Sequence, residues 1–322
     1  MLHDVAALLE GLEQGQRRAV ARLLTLVEDG DATTLRAVVA GLWPRTGHAR
    51  ILGITGPPGV GKSTLTNALT VALRAVDRTV AVLAVDPSSP FTGGALLGDR
   101  VRMQGHHDDP GVFIRSMASR GHLGGLSTAT PQAVAVLDAA GFDDVIIETV
   151  GVGQSEVEVA ATADTVLVAM APGMGDGIQA AKAGILEVAD IFVVNKADQS
   201  GAGKLEAELR GMLELGHAVG SDGAWWPPIV RTVGVRAEGV DDLVARIDDH
   251  TAHLATTGED VRRRERRALH DVREIALADV RRRFSMLERD GNPTLVSLAV
   301  RVARRELTPY AAADEVVVSL GP

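Results

Sequence analysis

The chain has 322 residues, enough for one large or two modest domains, with 46% hydrophobic and 23% charged side chains. This composition is typical of folded globular proteins and argues against intrinsic disorder. The 33 basic and 42 acidic side chains give a formal net charge of −9, which disfavours nucleic acid and anionic membranes as general partners. Because cysteine is absent, disulfides, thiol nucleophiles, iron–sulfur clusters and cysteine-based zinc sites are excluded.

The apolar segments are too short for a membrane helix. The longest runs, Val80–Val85 and Val166–Ala171, fall far below the roughly 18 residues that a membrane span needs. The first thirty residues carry acidic side chains among short apolar patches, unlike a secretory signal peptide. We therefore expect a soluble, cytoplasmic protein that does not bind a membrane.

Residues 1–45 show helical periodicity. Apolar side chains recur at helical spacing until Gly30 ends the pattern, and Pro44 stops a further helix. Beyond residue 50, seven short apolar runs alternate with helix-like stretches. The runs are Ile51–Thr55, Val80–Val85, Val112–Ile114, Val145–Ile147, Thr165–Ala171, Ile191–Val194 and Ile229–Val230.

These runs do not alternate with polar residues, as expected for strands that are buried on both faces. They predict an α/β fold with a mostly parallel central sheet and helices on both faces. Before the fourth run, Thr130 and Pro131 fit the N-cap and the first position of a crossover helix. After Leu243 the pattern is helical only. The predicted organisation is a helical extension over 1–48, a central domain over 49–256 and a helical arm over 257–322.

The segment 259–290 holds ten arginines against eight acidic residues and only one aromatic residue, which is typical of a salt-bridged amphipathic helix and not of a nucleic-acid-binding strip. Its apolar residues fall on one helical stripe. They are Leu269, Val272, Ala276, Val280 and Phe284. We predict that this stripe packs on a partner chain or on the central domain.

The first apolar run leads into the phosphate-binding pattern G-x-x-x-x-G-K-[ST], followed by a helix-like stretch. Its residues are Gly56, Pro57, Pro58, Gly59, Val60, Gly61, Lys62, Ser63 and Thr64. Backbone N–H groups of such a loop turn towards a β-phosphate at a helix N-terminus. Lys62 is predicted to bridge the β- and γ-phosphates, and the Ser63 hydroxyl to ligate Mg²⁺. The alternative is a glycine- and proline-rich turn that merely precedes a helix.

A second motif, N-K-x-D, follows the run Ile191–Val194 and predicts which base is bound. The Asp198 carboxylate can accept hydrogen bonds from guanine N1–H and from its exocyclic amine, and adenine offers neither donor there. Lys196 can lie across the purine face, and Asn195 can tie this loop to the P-loop. A helix cap would also explain Asp198. Together with the P-loop, the motif makes GTP the expected ligand.

Carboxylates after two other runs are candidate magnesium ligands. Glu148 stands where most GTPases have an aspartate that supports Mg²⁺, and the N–H of Gly151 is placed to sense the γ-phosphate. Asp86 follows the second run, and Asp99 lies in a glycine-rich segment. The predicted catalytic set is Lys62, Asp86, Asp99, Glu148 and Gly151, and the predicted metal ligands are Ser63, Asp86, Asp99 and Glu148. Alternatives are a strand-end carboxylate facing solvent for Glu148 and a loop carboxylate facing solvent for Asp99.

With these motifs in place, the chain resembles the MeaB family of P-loop GTPases, also known as the methylmalonic aciduria type A or ArgK family. The matching segments are the P-loop, 84–89, 98–100, 148–156, 175–184 and 195–198. The resemblance implies a GTPase that forms a homodimer through its helical arm. It also implies that GTP binding and hydrolysis gate the loading of adenosylcobalamin into methylmalonyl-CoA mutase, or a related acyl-CoA mutase, and protect that enzyme. No cobalamin is expected to bind this chain directly.

The resemblance also implies a switch that couples the nucleotide to the mutase, at Asp176, Gln179 and Lys182. A last guanine-contacting loop is expected at Thr232, Val233 and Gly234. The family usually has Ser-Ala there, so this chain departs from the pattern. Two alternatives stay open: a nucleotide-dependent scaffold with little turnover, and a kinase of an amino-acid transport system.

Overall fold

A computed structural model describes most of the chain. The described residues are 2–87, 104–106, 108–119, 129–149, 159, 161–173, 188–216, 225–289 and 292–319. They form two compact units, Met1–Arg264 and Glu265–Pro322. Within the described ranges, no helix is long and apolar enough to cross a membrane. The three-part division made from the sequence stays a prediction.

Three helices precede the sheet, and the helical periodicity predicted the second and the third of them. They are α1 (Leu2–Glu13), α2 (Arg17–Asp29) and α3 (Ala32–Leu42). The start of α3 is capped by Asp31, whose carboxylate accepts hydrogen bonds from the backbone N–H groups of Thr33 and Thr34, both at 2.8 Å. The face of α2 that carries Leu23 and Leu24 is fully buried. For α2, the pattern of apolar residues therefore identified both the helix and the side that packs inward.

The central sheet contains seven parallel strands, which confirms the fold predicted from the apolar runs. The strands are β1 (Arg50–Thr55), β2 (Val80–Pro87), β3 (Val112–Ser119), β4 (Asp144–Thr149), β5 (Thr165–Met170), β6 (Ile191–Val194) and β7 (Ile229–Arg231). Their order is β3-β2-β4-β1-β5-β6-β7. Ile54 of β1 pairs with Glu148 on one side and with Leu167 on the other. The strand order therefore reverses at β1, where open α/β sheets bind their ligands.

Successive residues of β1 face two separate cores. Ile51 belongs to a buried cluster that includes Leu24 of the N-terminal helices. Leu52 belongs to a second cluster that includes Leu65 and Leu69 of the helix after β1. Burial on both faces explains why the runs show no polar alternation.

In the described ranges, four helices with defined bounds lie between or directly after the strands. They are α4 (Lys62–Ala75), α5 (Thr130–Ala139), α6 (Ala202–Gly216) and α7 (Val240–Thr257). The prediction of Thr130 as the N-cap of α5 is wrong by one residue. Ala129 holds that position, because its carbonyl accepts the first hydrogen bond of the helix, from the N–H of Ala133 at 2.9 Å.

The chain ends in three helices. They are α8 (Glu259–Arg289), α9 (Pro293–Ala303) and α10 (Pro309–Ser319). In the second unit, Leu298, Ala312 and Val316 form a small buried cluster. The apolar stripe of α8 is exposed instead: Leu269 is 71% and Val272 is 66% accessible.

A buried carboxylate joins the N-terminal helices to the sheet layer. Asp138 of α5 accepts hydrogen bonds from the backbone N–H groups of Gly47, His48 and Ala49, at 2.5, 3.1 and 2.9 Å. These three residues connect α3 to β1. Because burying a carboxylate is costly unless its oxygens are hydrogen-bonded, this contact fixes the path of the connection.

A second buried carboxylate, Asp190, lies just before β6. Arg263 donates to both of its oxygens, at 2.7 and 2.9 Å, and the backbone N–H of Val166 donates to Oδ2 at 2.8 Å. His250 Nε2 lies 3.3 Å from Oδ1. Burial raises the pKa of Asp190, but the contacts with His250 and Arg263 outweigh burial and hold that pKa below its ordinary value. The first turns of α8 are thereby fixed to the sheet.

Candidate nucleotide-binding site

The candidate site lies at the carboxyl ends of β1, β4 and β6. The P-loop connects β1 to α4, whose first residue is Lys62. Glu148 lies near the end of β4, and Asn195 directly follows β6. Parallel strands bring these three segments to one edge of the sheet, at the point where the strand order reverses.

Two positions of the P-loop require glycine, both because neighbouring atoms lie too close for a side chain and because the backbone is in a left-handed conformation. Gly56 has φ of +138°, and a Cβ there would lie 2.1 Å from the carbonyl oxygen of Ala169. Gly61 has φ of +91°, and a Cβ there would lie 2.7 Å from Nδ2 of Asn195. A side chain at either position would push the P-loop away from its neighbouring strand or loop.

Lys62 lies inside the curve of the P-loop. Its ammonium group donates hydrogen bonds to the carbonyl oxygens of Gly56, at 2.6 Å, and Pro57, at 3.1 Å, and the residue is 7% accessible. A buried ammonium held among backbone groups at a helix N-terminus is well placed to bind phosphate oxygens.

Ser63 and Glu148 meet directly beside the P-loop. The Ser63 hydroxyl donates a hydrogen bond to Oε1 of Glu148 at 2.5 Å, although the residues are 85 positions apart. Glu148 is 1% accessible, so the alternative of a carboxylate facing solvent is wrong. Hydroxyl and carboxylate oxygens are ligands that Mg²⁺ accepts together with phosphate and water, so this pair fits the predicted metal.

Asn195 connects three loops. Its amide nitrogen donates to the carbonyl oxygen of Val60 at 2.9 Å. Its amide oxygen accepts from the Thr232 hydroxyl at 3.2 Å and from the backbone N–H of Gly234 at 3.1 Å. The side chain is buried, and it joins the N-K-x-D loop to the P-loop and to the loop after β7.

The other two motif residues extend towards the surface. Lys196 has φ of +56°, and its ammonium group donates to the carbonyl oxygen of Gly59 at 2.7 Å. The Asp198 carboxylate is 39% accessible and contacts Arg236, whose Nη1 lies 3.2 Å from Oδ2. Because α6 begins only at Ala202, the contact with Arg236 describes Asp198 better than a helix cap does.

Some of the predicted residues lie outside what the structure describes. Asp86 is the seventh residue of β2 and pairs with Ala118 through its backbone, but its side chain is outside the described part. The other predicted residues outside the described ranges are Asp99, Gly151, Asp176, Gln179 and Lys182. The described part brings together the P-loop, Glu148, the N-K-x-D residues and the loop that contains Thr232, Val233 and Gly234.

Sequence reasoning missed Arg236 and the role of the Thr232 hydroxyl. Both lie in the short loop between β7 and α7, where Gly234–Arg236 form one turn of 3-10 helix. In the sequence, only the position of this loop pointed to these residues. The loop follows the last predicted strand, which comes after the N-K-x-D motif in the chain. A threonine or arginine in a surface loop is too common to be singled out without the fold.

Comparisons with known proteins identify the family to which the chain belongs. The sequence profile of the family described as "Methylmalonyl Co-A mutase-associated GTPase MeaB" matches residues 20–288. A putative GTPase of Pyrococcus horikoshii is 47% identical over 318 residues, covering 98% of this chain and 98% of that protein. The mitochondrial methylmalonic aciduria type A homolog of Mus musculus is 34% identical, covering 79% of this chain and 65% of its own length.

A solved structure resembles the whole chain. The crystal structure of a protein named LAO/AO transport system kinase has a TM-score of 0.68 and 26% identity, covering 99% of this chain and 98% of that chain. The agreement of profile, relatives and fold confirms the resemblance inferred from the motifs. The chain therefore belongs to the MeaB family of P-loop GTPases and is a GTPase.

Proposed function

We propose that this chain binds GTP with Mg²⁺ in the cytoplasm and uses its nucleotide cycle to gate the loading of adenosylcobalamin into a mutase. The client is methylmalonyl-CoA mutase or a related acyl-CoA mutase, which the chain also protects. Membership of a family described as mutase-associated carries this proposal. The cofactor would pass to the mutase without cobalamin binding directly to this chain.

The phosphate side of the site supports nucleotide hydrolysis. Lys62 would exchange its contacts with the loop carbonyls for the β- and γ-phosphate oxygens. Ser63 and Glu148 would hold Mg²⁺, which when bound neutralises charge between the two phosphates. Asp86, Asp99 and Gly151 complete the proposed catalytic and metal-binding set.

The base side of the site supports selectivity for guanine. Asp198 would accept from N1–H and from the exocyclic amine, while the Lys196 stem, which crosses from its own loop to Gly59, would cover one purine face. Asn195 holds this loop against the P-loop, so the base and the phosphates would be bound by two loops that are hydrogen-bonded to each other. The loop at 232–234 would line the remaining edge of the base.

The helical arm supports a homodimer. In the described part of α8, the stripe that includes Leu269 and Val272 is exposed along a helix of 31 residues. A helix whose apolar stripe is this accessible gains stability when a second copy covers it.

The coupling of nucleotide state to the mutase would run through Asp176, Gln179 and Lys182.

The proposal is tested by measuring GTP hydrolysis by the purified chain, alone and with the adenosylcobalamin-dependent acyl-CoA mutases of the same organism. One mutase is expected to raise the hydrolysis rate, and cofactor loading into that mutase is expected to require GTP. Lys182→Ala and Gln179→Ala should lower this stimulation. Hydrolysis that no such mutase changes would refute the chaperone role, and negligible turnover under all conditions would favour the scaffold.

A second candidate follows from the name of the solved relative, which is called a transport system kinase. A kinase would transfer the γ-phosphate to a protein, whereas a GTPase transfers it to water. Incubation with GTP labelled at the γ-phosphate, together with an amino-acid-binding protein of a transport system, separates the two. We expect inorganic phosphate and no labelled protein.

A further inference from the structure

Arg236 lies between two carboxylates at the base side of the site. Its Nη1 lies 3.2 Å from Oδ2 of Asp198. Its Nε and Nη2 donate to the two oxygens of Glu238, at 2.6 and 3.2 Å. Glu238 therefore holds the guanidinium group by two parallel hydrogen bonds, which leaves Nη1 directed at Asp198.

Glu238 is itself attached to the loop that faces the base. Its backbone carbonyl accepts a hydrogen bond from the N–H of Val233 at 2.9 Å. The next residue, Gly234, donates its backbone N–H to Asn195. The Arg236 guanidinium is thus fixed relative to the same loop and the same asparagine that define the rest of the pocket.

An arginine at this point does not compete with guanine for Asp198. An ionised carboxylate has about four acceptor positions, two on each oxygen. Guanine N1–H and its exocyclic amine would use one position on each oxygen, and Arg236 uses a further one on Oδ2. Asp198 is 39% accessible, so without a second contact its carboxylate is free to rotate in water.

We propose that Arg236 is a positioning residue for base recognition, which orients the Asp198 carboxylate so that both of its oxygens face the guanine. The proposal rests on the role of Asp198 proposed above. The expected effect of Arg236 on nucleotide affinity is small, because the Arg236–Asp198 pair lies at the surface. Such contacts change affinity by about two- to five-fold. The effect should weaken as salt is raised.

The test measures the affinities of GDP, GTP and ITP for wild type, Arg236→Ala, Arg236→Lys and Glu238→Gln. ITP lacks the exocyclic amine, so it needs only one oxygen of Asp198. Arg236→Ala is expected to weaken GDP and GTP by about two- to five-fold and ITP by less, so the GTP-to-ITP affinity ratio falls. The lysine variant should recover part of the loss, and Glu238→Gln should show part of it.

Arg246→Ala is the matched control, because Arg246 is similarly exposed and pairs with Asp242 and Asp249 of its own helix. It should leave all three affinities unchanged. A double-mutant cycle with Asp198→Asn, measured with xanthosine nucleotides, completes the test. In that background Arg236→Ala is expected to have almost no effect.

Two results would overturn the positioning role. One is unchanged guanine nucleotide affinity in Arg236→Ala. The other is an equal loss for GTP and ITP in that variant, together with the same loss for xanthosine nucleotides in the Asp198→Asn background. The second result would indicate a general change in the loop. If Asp198→Asn itself fails to shift preference from GTP to xanthosine triphosphate, the base-recognition role of Asp198 falls and the positioning role falls with it. The wild-type and Asp198→Asn arms therefore distinguish the two failures.

Discussion

At the scale of single residues, Lys62 and Asp198 contribute in different ways. Lys62 is buried and makes its described contacts with backbone carbonyls of its own loop, whereas Asp198 is half-exposed and contacts a charged side chain. A buried ammonium interacts with phosphate in a low-dielectric environment, where each contact is strong. A half-exposed carboxylate selects by hydrogen-bond geometry instead.

Lys62→Ala should lower GTP turnover by about 100-fold or more, because the variant loses the charge that neutralises the β- and γ-phosphates. The measurement is GTP hydrolysis at saturating Mg²⁺, with thermal unfolding to confirm that the variant is folded. Lys204→Ala is a suitable control, since Lys204 is an exposed lysine that pairs with Glu208 on α6. Wild-type turnover in a folded Lys62→Ala protein would contradict the assignment of the P-loop.

Asp198→Asn should weaken GTP binding by about 10- to 100-fold and improve the binding of xanthosine triphosphate, because the amide donates a hydrogen bond where xanthine has an acceptor. Competition between the two nucleotides measures the change in preference. ATP serves as the reference ligand, and its affinity should stay low in both proteins. ATP binding as tightly as GTP in the wild type would remove the argument for guanine recognition.

At the scale of elements, Asp190 connects β5, β6, α7 and the start of α8. Its carboxylate contacts Val166, His250 and Arg263, which come from three different elements. Removing one partner of a buried charge pair leaves the other charged group buried without an opposite charge, which lowers the free energy of unfolding. We therefore expect the stability of the first unit to depend on the ionisation of this one group.

The pH dependence has a definite sign. The pKa of Asp190 is lower in the folded chain than its ordinary value, so the unfolded chain binds the proton more tightly. The resulting stability is present in full above the ordinary aspartate pKa of about 3.9 and is lost as the pH falls through the lower folded value.

Asp190→Asn should lower the free energy of unfolding by about 2 to 4 kcal/mol at pH 7, and the difference from wild type should shrink as the pH falls below about 4. Urea unfolding at several pH values measures both effects. Asp249→Asn, at an exposed residue of α7, is the control and should show neither. A difference that stays constant from pH 7 to pH 3 would show that the ionisation of Asp190 contributes nothing.

These features can be predicted from the sequence only where the residues that define them are close together in the chain. The run Ile191–Val194 and the glycines of the P-loop are local signals, so the strands and the phosphate loop follow from the sequence. The ion pair between Asp190 and Arg263 joins residues 73 positions apart, and nothing in either neighbourhood indicates it. Arg236 lies 38 positions from Asp198, so their contact became visible only when the fold placed the two loops side by side.

At the scale of the whole molecule, the exposed stripe of α8 is the surface through which we propose that two copies assemble. Val272→Glu should shift a dimer towards monomer, because it places a charge in the apolar surface that the second copy is proposed to cover. Sedimentation velocity over a range of concentrations measures the change. Ala278→Glu is the matched control, since Ala278 is also exposed and lies on the opposite side of the helix. A wild-type protein that stays monomeric at high concentration would refute the dimer.

The pairing of β1 with two distant strands has a consequence during synthesis. Leu52 pairs with Ile146 of β4 and with Thr165 of β5, so the strand that leads into the P-loop gains its second neighbour only after more than a hundred further residues are made. At elongation rates of about 5 to 20 residues per second this takes on the order of ten seconds. Until β5 is made, that edge of β1 has no partner strand, and an unpaired strand edge can pair with another chain. A ribosome-bound chain that ends before β5 should therefore leave β1 more accessible to protease than a chain that extends beyond β5.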